Sequence, residues 1–205
     1  MKTAGIILCG GRSRRMGSPK ALLPFGRELM LPRVARILGS TVDSLLVVAA
    51  ADQQLPSLSP AVGVLRDRVP DQGPLEGLRV GLDALTGDVD AAFVSGCDTP
   101  LLLPEFVMRL FAMLESYQVA VPCDGPFFHP LAAAYRPVIV PVIDQLLQDG
   151  KRRPADLFER VRTRHVDINM LRDVDPELRS LMNVNRPDEY AEILRHAGLA
   201  DDDGG

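Results

Sequence analysis

The chain is 205 residues long, 46% hydrophobic and 24% charged, and its 23 Lys+Arg against 27 Asp+Glu leave a formal net charge of -4. That length and composition suit one self-sufficient core and exclude an intrinsically disordered protein. The mildly acidic balance argues against a nucleic-acid or membrane-binding surface, so any anion site must be local.

Thr3 to Cys9 (TAGIILC) is a short apolar run stopped by Gly10-Gly11, the pattern of a strand buried on both faces. GGRSRRMGSPKALLPFG then breaks all periodicity until Leu31, Val34, Ile37 and Leu38 fall at helical spacing, so a long loop follows the first strand. Ser44 to Ala50 and Ala61 to Leu65 read as further buried strands, and Leu75 to Leu85 as a helix. Ala91 to Ser95 is a strand closed by Gly96-Cys97-Asp98, and Glu105 to Leu114 after Pro104 is a helix with proline in its first turn. Beyond Gln118 come VAVP, HPLAAAY, a helix around Val138 to Gln148, the basic turn GKRRP at 150–154 and a helix at Ala155 to Val161. The last element opens at Pro187, carries Asp188 and Glu189 in its first turn and takes Leu194 as its apolar anchor.

Strands alternating with helices mean parallel strands joined by crossovers, so the expected fold is α/β: a Rossmann-like, mostly parallel sheet with helices on both faces. Nothing divides the chain, and residues 1–198 are read as one domain followed by a solvated acidic tail, 199–205. The opening apolar run is too short for a secretory h-region plus cleavage site. Cys9, Cys97 and Cys123 form no CxxC pair and have no histidine at metal spacing. Reduced thiols in a soluble, cytoplasmic protein are the expectation.

Arg12, Arg14, Arg15 and Lys20 fall directly after a buried strand, beside Gly10, Gly11 and Gly17. Loops at the carboxyl ends of strands line the ligand crevice of open α/β folds, and glycines let backbone N–H groups approach a phosphate. The spacing fits neither GxxxxGK[ST] nor GxGxxG. From these residues the reading is an anion site suited to polyphosphate, against the alternative of a solvated connection. Asp98 lies just past a buried strand, where a carboxylate can hold Mg²⁺ against phosphate oxygens; the competing role is capping of a short turn by Asp98 or Thr99. Asp88-Val89-Asp90 precedes its strand and reads as a turn. His129 is read as a strand-end histidine, with a substrate contact as its alternative, and the 150–154 turn as solvated, with a second phosphate as its alternative. His129, His165 and His196 have no spaced Ser or Cys partner that would make a triad.

The run Leu8-Cys9-Gly10-Gly11-Arg12-Ser13-Arg14-Arg15-Met16-Gly17, followed by Lys20-Ala21-Leu22-Leu23, resembles the LAGGxSxRMGxxKxLL signature of the nucleotidyltransferases that attach nucleotides to molybdopterin. Asp67 with Gly73-Pro74-Leu75-Glu76-Gly77 resembles that family's D...GPLAG segment, Cys97-Asp98-Thr99-Pro100 its CDxP segment, and Asn183-Val184-Asn185-Arg186-Pro187 its NVNTPE segment. Four ordered motifs cover residue 4 to about 195, and Gly-Gly after the first strand is similar to the guanylyl-transferring branch. The resemblance implies a nucleotide-diphospho-sugar transferase-like fold and an enzyme that moves GMP from GTP to the phosphate of molybdopterin with Mg²⁺. Molybdenum-insertion proteins and molybdoenzyme chaperones are its implied partners. It also implies roles. Leu8, Cys9 and Gly10 lie against guanine and ribose, with Gly11 in the same turn; Arg12, Arg15 and Lys20 meet phosphates; Asp67 holds the nucleotide; Asp98 binds Mg²⁺ and GTP; Asn185 reaches the metal. Cys9 in place of Ala, Pro19 in place of Asp before the lysine, and Ala49 or Ala50 where an Asn can meet the nucleotide are departures. A cytidylyl or sugar-phosphate nucleotidyltransferase, or a noncatalytic GTP-binding protein of cofactor delivery, are the alternative readings.

Overall fold

Alternate residues of the first strand, β1 (Thr3–Leu8), serve two separate cores: Ile7, followed by Cys9, faces one layer, while Ala4, Ile6 and Leu8 face the other. A strand covered on both faces needs apolar residues throughout, which is why TAGIILC does not alternate. The computed structural model describes residues 1–9, 19–67 and 73–199. A hairpin of β2 (Pro24–Phe25) and β3 (Glu28–Leu29) leads into α1 (Met30–Gly39), β4 (Ser44–Ala50), β5 (Val62–Asp67), α2 (Gly73–Asp83), β6 (Ala91–Gly96) and α3 (Pro104–Leu114). β7 (Val119–Asp124), β8 (Phe127–Phe128), β9 (Ala132–Tyr135), α4 (Val140–Gln148), β10 (Thr163–Asp167) and α5 (Pro187–His196) follow.

The main sheet has the order β10-β7-β9-β6-β1-β4-β5, with β8 added to β7. β6, β1, β4 and β5 run parallel, β7 is parallel to β10, and β9 is antiparallel to both β6 and β7. Two reversals at β9 restore the original direction, so the carboxyl ends of β1, β4, β5, β6, β7 and β10 share one edge. α1 and α3 cover one face through Leu31, Val34, Leu38, Phe106 and Leu110, and α2 and α4 cover the other through Leu75, Leu78, Leu82 and Ile143. The expected α/β sheet with helices on both faces is therefore present, with β9 as the reversed strand. Among the described residues no helix is long and apolar enough to cross a membrane.

Four expectations need correction. The strand read as buried at Ala61 to Leu65 is β5, the edge strand of the sheet, with no fully buried residue and with Val64 exposed. Ala155 to Val161 is not a helix: a 3-10 turn spans Pro154–Leu157, after which Phe158 turns in on Phe128, ring centroids 5.1 Å apart, and the chain heads for β10. The helix expected from Val138 is split, with a 3-10 turn at Pro137–Ile139 ahead of α4, because Pro141 suits a first helical turn and not a helix interior. In α5 the buried anchor is Ile193, and Leu194 is only partly buried.

A third, smaller cluster joins Leu23, Phe25, Met30, Leu101, Val184 and Ile193. It lies against the hairpin, the turn after β6 and α5, and it brings Lys20, Asp98 and Asn185 together.

Candidate active site at the carboxyl edge

Lys20, Asp98 and Asn185 come from three distant stretches of sequence, and each stands close to a buried anchor of that third cluster: Leu23, Leu101 and Val184 respectively. Burying those anchors in one place brings the polar residues together. Lys20 Nζ donates to Asp98 Oδ2 and to Asn185 Oδ1, each at 2.7 Å. The Val184 N–H donates to the Asp98 carbonyl at 2.9 Å, locking the segment that carries Asn185 onto the turn that carries Asp98. The Lys20 and Asp98 side chains are only 19% and 16% exposed, so the pair is screened from bulk water far more than a surface ion pair.

Each side chain is aimed by its local backbone. Pro19 is extended, with φ -60 and ψ 125, and its carbonyl accepts from the Leu22 N–H at 2.9 Å, starting the 3-10 turn Lys20–Leu22. Proline fits that φ without strain, so the departure from Asp at this position leaves Lys20 directed at Asp98. After β6 the turn is closed by Thr99, whose hydroxyl donates to the Gly96 carbonyl at 3.1 Å and lies 2.9 Å from Ser95 Oγ. Thr99 thus serves the turn, while the Asp98 carboxylate turns to Lys20. A Cβ added at Gly96 would collide with Asp98 Oδ1, so the small residue is required for the carboxylate's position. Glu189 Oε2 accepts from the backbone N–H groups of Asn185 and Arg186, at 2.7 and 3.2 Å. Glu189, read from sequence only as a first-turn acid, therefore also positions Asn185; its spacing from the helix start was the available signal.

Leu8 ends β1 with its side chain packed toward Gly77 of α2, and its carbonyl accepts from the Cys97 N–H at 3.2 Å. The Cys9 N–H donates to the Val48 carbonyl at 2.8 Å. Both contacts fix the end of β1 between β6 and β4. The Cys9 thiol shares a hydrogen bond with Cys97, which together with burial holds it well above the usual thiol range and keeps it un-ionised. Asp67 closes β5 on the same edge. Gly10, Gly11, Arg12 and Arg15 lie outside the described residues, as do 200–205 of the expected tail 199–205; Leu199 itself is tied to α5, its N–H donating to the Leu194 carbonyl at 2.9 Å.

The basic turn at 150–154 also reaches this edge. α2 descends from it, with Gly77 beside Leu8 and Gly81 beside Ile6, and at its start the Arg152 carbonyl accepts from the Leu75 N–H at 3.3 Å. Gly73 there has φ +73 and no room for a Cβ against that carbonyl. At the end of β4, where Ala49 and Ala50 offer no polar side chain, Arg66 Nη1 binds the carbonyls of Ala50 and Gln53 at 3.1 and 2.7 Å. Arg66 and Gln53 are the polar side chains supplied there, and the sequence reading named neither. His129 is half-buried, and burial holds its imidazole below its ordinary value, against the pull of Asp124. The Asp88–Asp90 turn lies at the opposite edge, where Asp90 accepts from the Lys2 N–H at 2.7 Å.

This arrangement, one cation between two oxygen acceptors at the carboxyl edge of an α/β sheet, suits polyphosphate chemistry. A family model for the MobA-like NTP transferase domain matches residues 5–166. The chain belongs to the MobA-like NTP transferase family. A relative from Methanosarcina mazei, 33% identical over 205 residues and aligned across 95% of this chain and 91% of its own length, carries the name molybdenum cofactor guanylyltransferase. One from Mycobacterium avium with the same name is 37% identical over 190 residues, covering 90% of this chain and 91% of its own. The fold is similar to the crystal structure of molybdopterin-guanine dinucleotide biosynthesis protein A from Archaeoglobus fulgidus, with TM-score 0.82 and 21% identity over 95% of this chain and 98% of that one. Lys20, Asp67 and Asp98 fall inside the segment matched by the MobA-like family model. Asn185 lies beyond it and is joined to it in space by Lys20 and Val184.

Proposed function

We propose that the chain transfers GMP from GTP to the terminal phosphate of molybdopterin, releasing pyrophosphate and forming the guanine dinucleotide form of the cofactor. Family membership and the guanylyltransferase relatives support the reaction. The observation that carries the site is the convergence of Lys20, Asp98 and Asn185.

The chemistry asks little of acid–base groups. A phosphate monoester loses its second proton near pH 6, roughly, so the acceptor is already a mostly dianionic nucleophile at neutral pH. Its attack on the α-phosphorus of GTP is opposed by charge, and catalysis consists of holding two polyanions in line and neutralising their oxygens. Lys20 supplies a positive charge to the triphosphate, the family resemblance assigns Arg12 and Arg15 to phosphate oxygens as well, and Asp67, at the end of β5, holds the nucleotide. The resemblance assigns Leu8, Cys9, Gly10 and Gly11 to guanine and ribose; of these Leu8 ends β1, and Gln53 and Arg66 supply polar side chains at the end of the neighbouring β4.

Asp98 and Asn185 fit a divalent cation: a carboxylate and a carboxamide oxygen, both hard donors, already converge on a cation, the ammonium of Lys20. When bound there, Mg²⁺ neutralises nonbridging and leaving phosphate oxygens. Proteins that insert molybdenum or chaperone molybdoenzymes are the partners such a product requires.

The test is pyrophosphate release with Mg²⁺, molybdopterin and each of GTP, CTP, ATP and UTP in turn. Release with GTP alone is expected. Release with CTP instead assigns the cytidylyl branch, and GTP binding without turnover assigns a carrier. Asp98→Asn should lower turnover on the order of 10²-fold, the scale of one lost electrostatic stabiliser; full Mg²⁺-dependent activity in that variant removes Asp98 from the site.

A further inference from the structure

The distances around Lys20 describe a site that is already filled by a cation. Its ammonium has three N–H donors, and two of them are spent at 2.7 Å on Asp98 Oδ2 and Asn185 Oδ1. We infer that Lys20 stands in for the divalent cation in the nucleotide-free chain and must leave the Asp98–Asn185 pair before a metal can be held there, so that metal and nucleotide bind cooperatively. This inference rests on the reading of Asp98 and Asn185 as the metal-holding pair.

Three physical points support the exchange. First, the Asp98 side chain is 16% exposed, and a carboxylate so withdrawn from water needs a counter-charge at all times; Lys20 provides it when nothing else does. Second, one carboxylate oxygen cannot serve an ammonium at 2.7 Å and a divalent ion at about 2.1 Å without setting the two cations within a few ångströms of each other, where their repulsion in a half-buried site is several kT. Third, lysine is a compact charge on a flexible four-carbon stem, so it can swing away while its backbone stays in the 3-10 turn. A triphosphate gives the displaced ammonium somewhere to go. Metal alone therefore has to expel Lys20 into water, whereas metal arriving with the triphosphate moves it onto phosphate oxygens. By linkage, whatever the nucleotide adds to metal affinity the metal adds to nucleotide affinity.

The measurement is Mn²⁺ binding without any nucleotide, followed by the electron paramagnetic resonance signal of free aquo-Mn²⁺, on folded protein checked by circular dichroism. The wild-type chain should bind Mn²⁺ weakly. Lys20→Met, which removes the charge, should bind it at least about tenfold more tightly, as expected for removing one like charge from a half-buried site. Lys20→Gln, neutral but still a hydrogen-bond donor, is the second variant and should show the same gain; Lys20→Arg, which keeps the charge, should not. The gain must vanish in Lys20→Met/Asp98→Asn. Either neutral variant binding Mn²⁺ no better than wild type, or a gain that survives loss of Asp98, overturns the exchange. The assay contains neither GTP nor molybdopterin, so a chain that proves to use another nucleotide leaves this inference standing. A chain with guanylyltransferase activity but no gain in the neutral variants sinks the exchange alone.

Discussion

Gly96 ends β6 with no space for a side chain, since a Cβ there would run into Asp98 Oδ1. The carboxylate would have to rotate away from Lys20 to make room, and the strand itself would be little disturbed because Gly96 has no positive φ to satisfy. Gly96→Ala is therefore expected to fold with a melting temperature near wild type and, with Asp98 in the role proposed for it, to lose turnover on the order of 10²-fold, the cost of moving such a group by about an ångström. Pyrophosphate release and a thermal melt on the same sample check it, and undiminished turnover would show that Asp98 is not held by this contact. At this scale the sequence was informative wherever a residue announced itself by type and place: Asp98 after a buried strand, Lys20 at the end of a basic loop. What it could not convey was pairing. That Lys20 meets both Asp98 and Asn185 depends on Leu23, Leu101 and Val184 packing into one cluster, and no local spacing encodes an encounter between residues 165 positions apart.

Elements with strong periodicity were legible, and those shaped by tertiary contacts were not. β4 and α3 fall where apolar runs and Pro104 place them, whereas β10, an edge strand with the sequence TRHVD, carries no apolar run to announce it. The stretch from 155 to 161 looks helical by spacing, yet Phe158 is drawn to Phe128 and His165 follows it there, with ring centroids 5.0 Å from Phe128, so packing overrides propensity. The segment before α5 is held in a similar way by a buried acid. Asp175 accepts from the backbone N–H groups of Arg179 and Ser180 at 2.9 and 2.8 Å, and Ser180 Oγ in turn accepts from the Leu103 N–H at 3.0 Å, at the N-terminus of α3. Asp175→Ala leaves two N–H groups without their acceptor and loosens that junction. A destabilisation of about 2 kcal/mol follows, read as a lower midpoint in urea with an unchanged slope. A variant as stable as wild type would mean that water replaces the carboxylate at no cost.

The main sheet has two halves, β6-β1-β4-β5 and β7-β10, with β9 between them, paired to β6 on one side and β7 on the other. Neither core stops at that seam. One runs from Ile7 and Val47 to Ala120 and Val166, the other from Leu78 to Val121 and Ile143, so burying either half means burying part of the other. We therefore expect residues 1–198 to unfold as one cooperative unit. The chain has no Trp and three Tyr, of which Tyr135 lies fully buried in β9 and Tyr190 lies partly buried in α5, so tyrosine fluorescence reports tertiary packing at the seam and at the site edge while far-ultraviolet circular dichroism reports the helices. The two probes should give coincident transitions. GTP with Mg²⁺ at about one hundred times its dissociation constant should stabilise the fold by about 2.7 kcal/mol and raise both midpoints together by roughly 5–10 °C. Two separated transitions, with only the earlier or the later one moved by nucleotide, would mean instead that the half built on β7, β9 and β10 is a domain of its own.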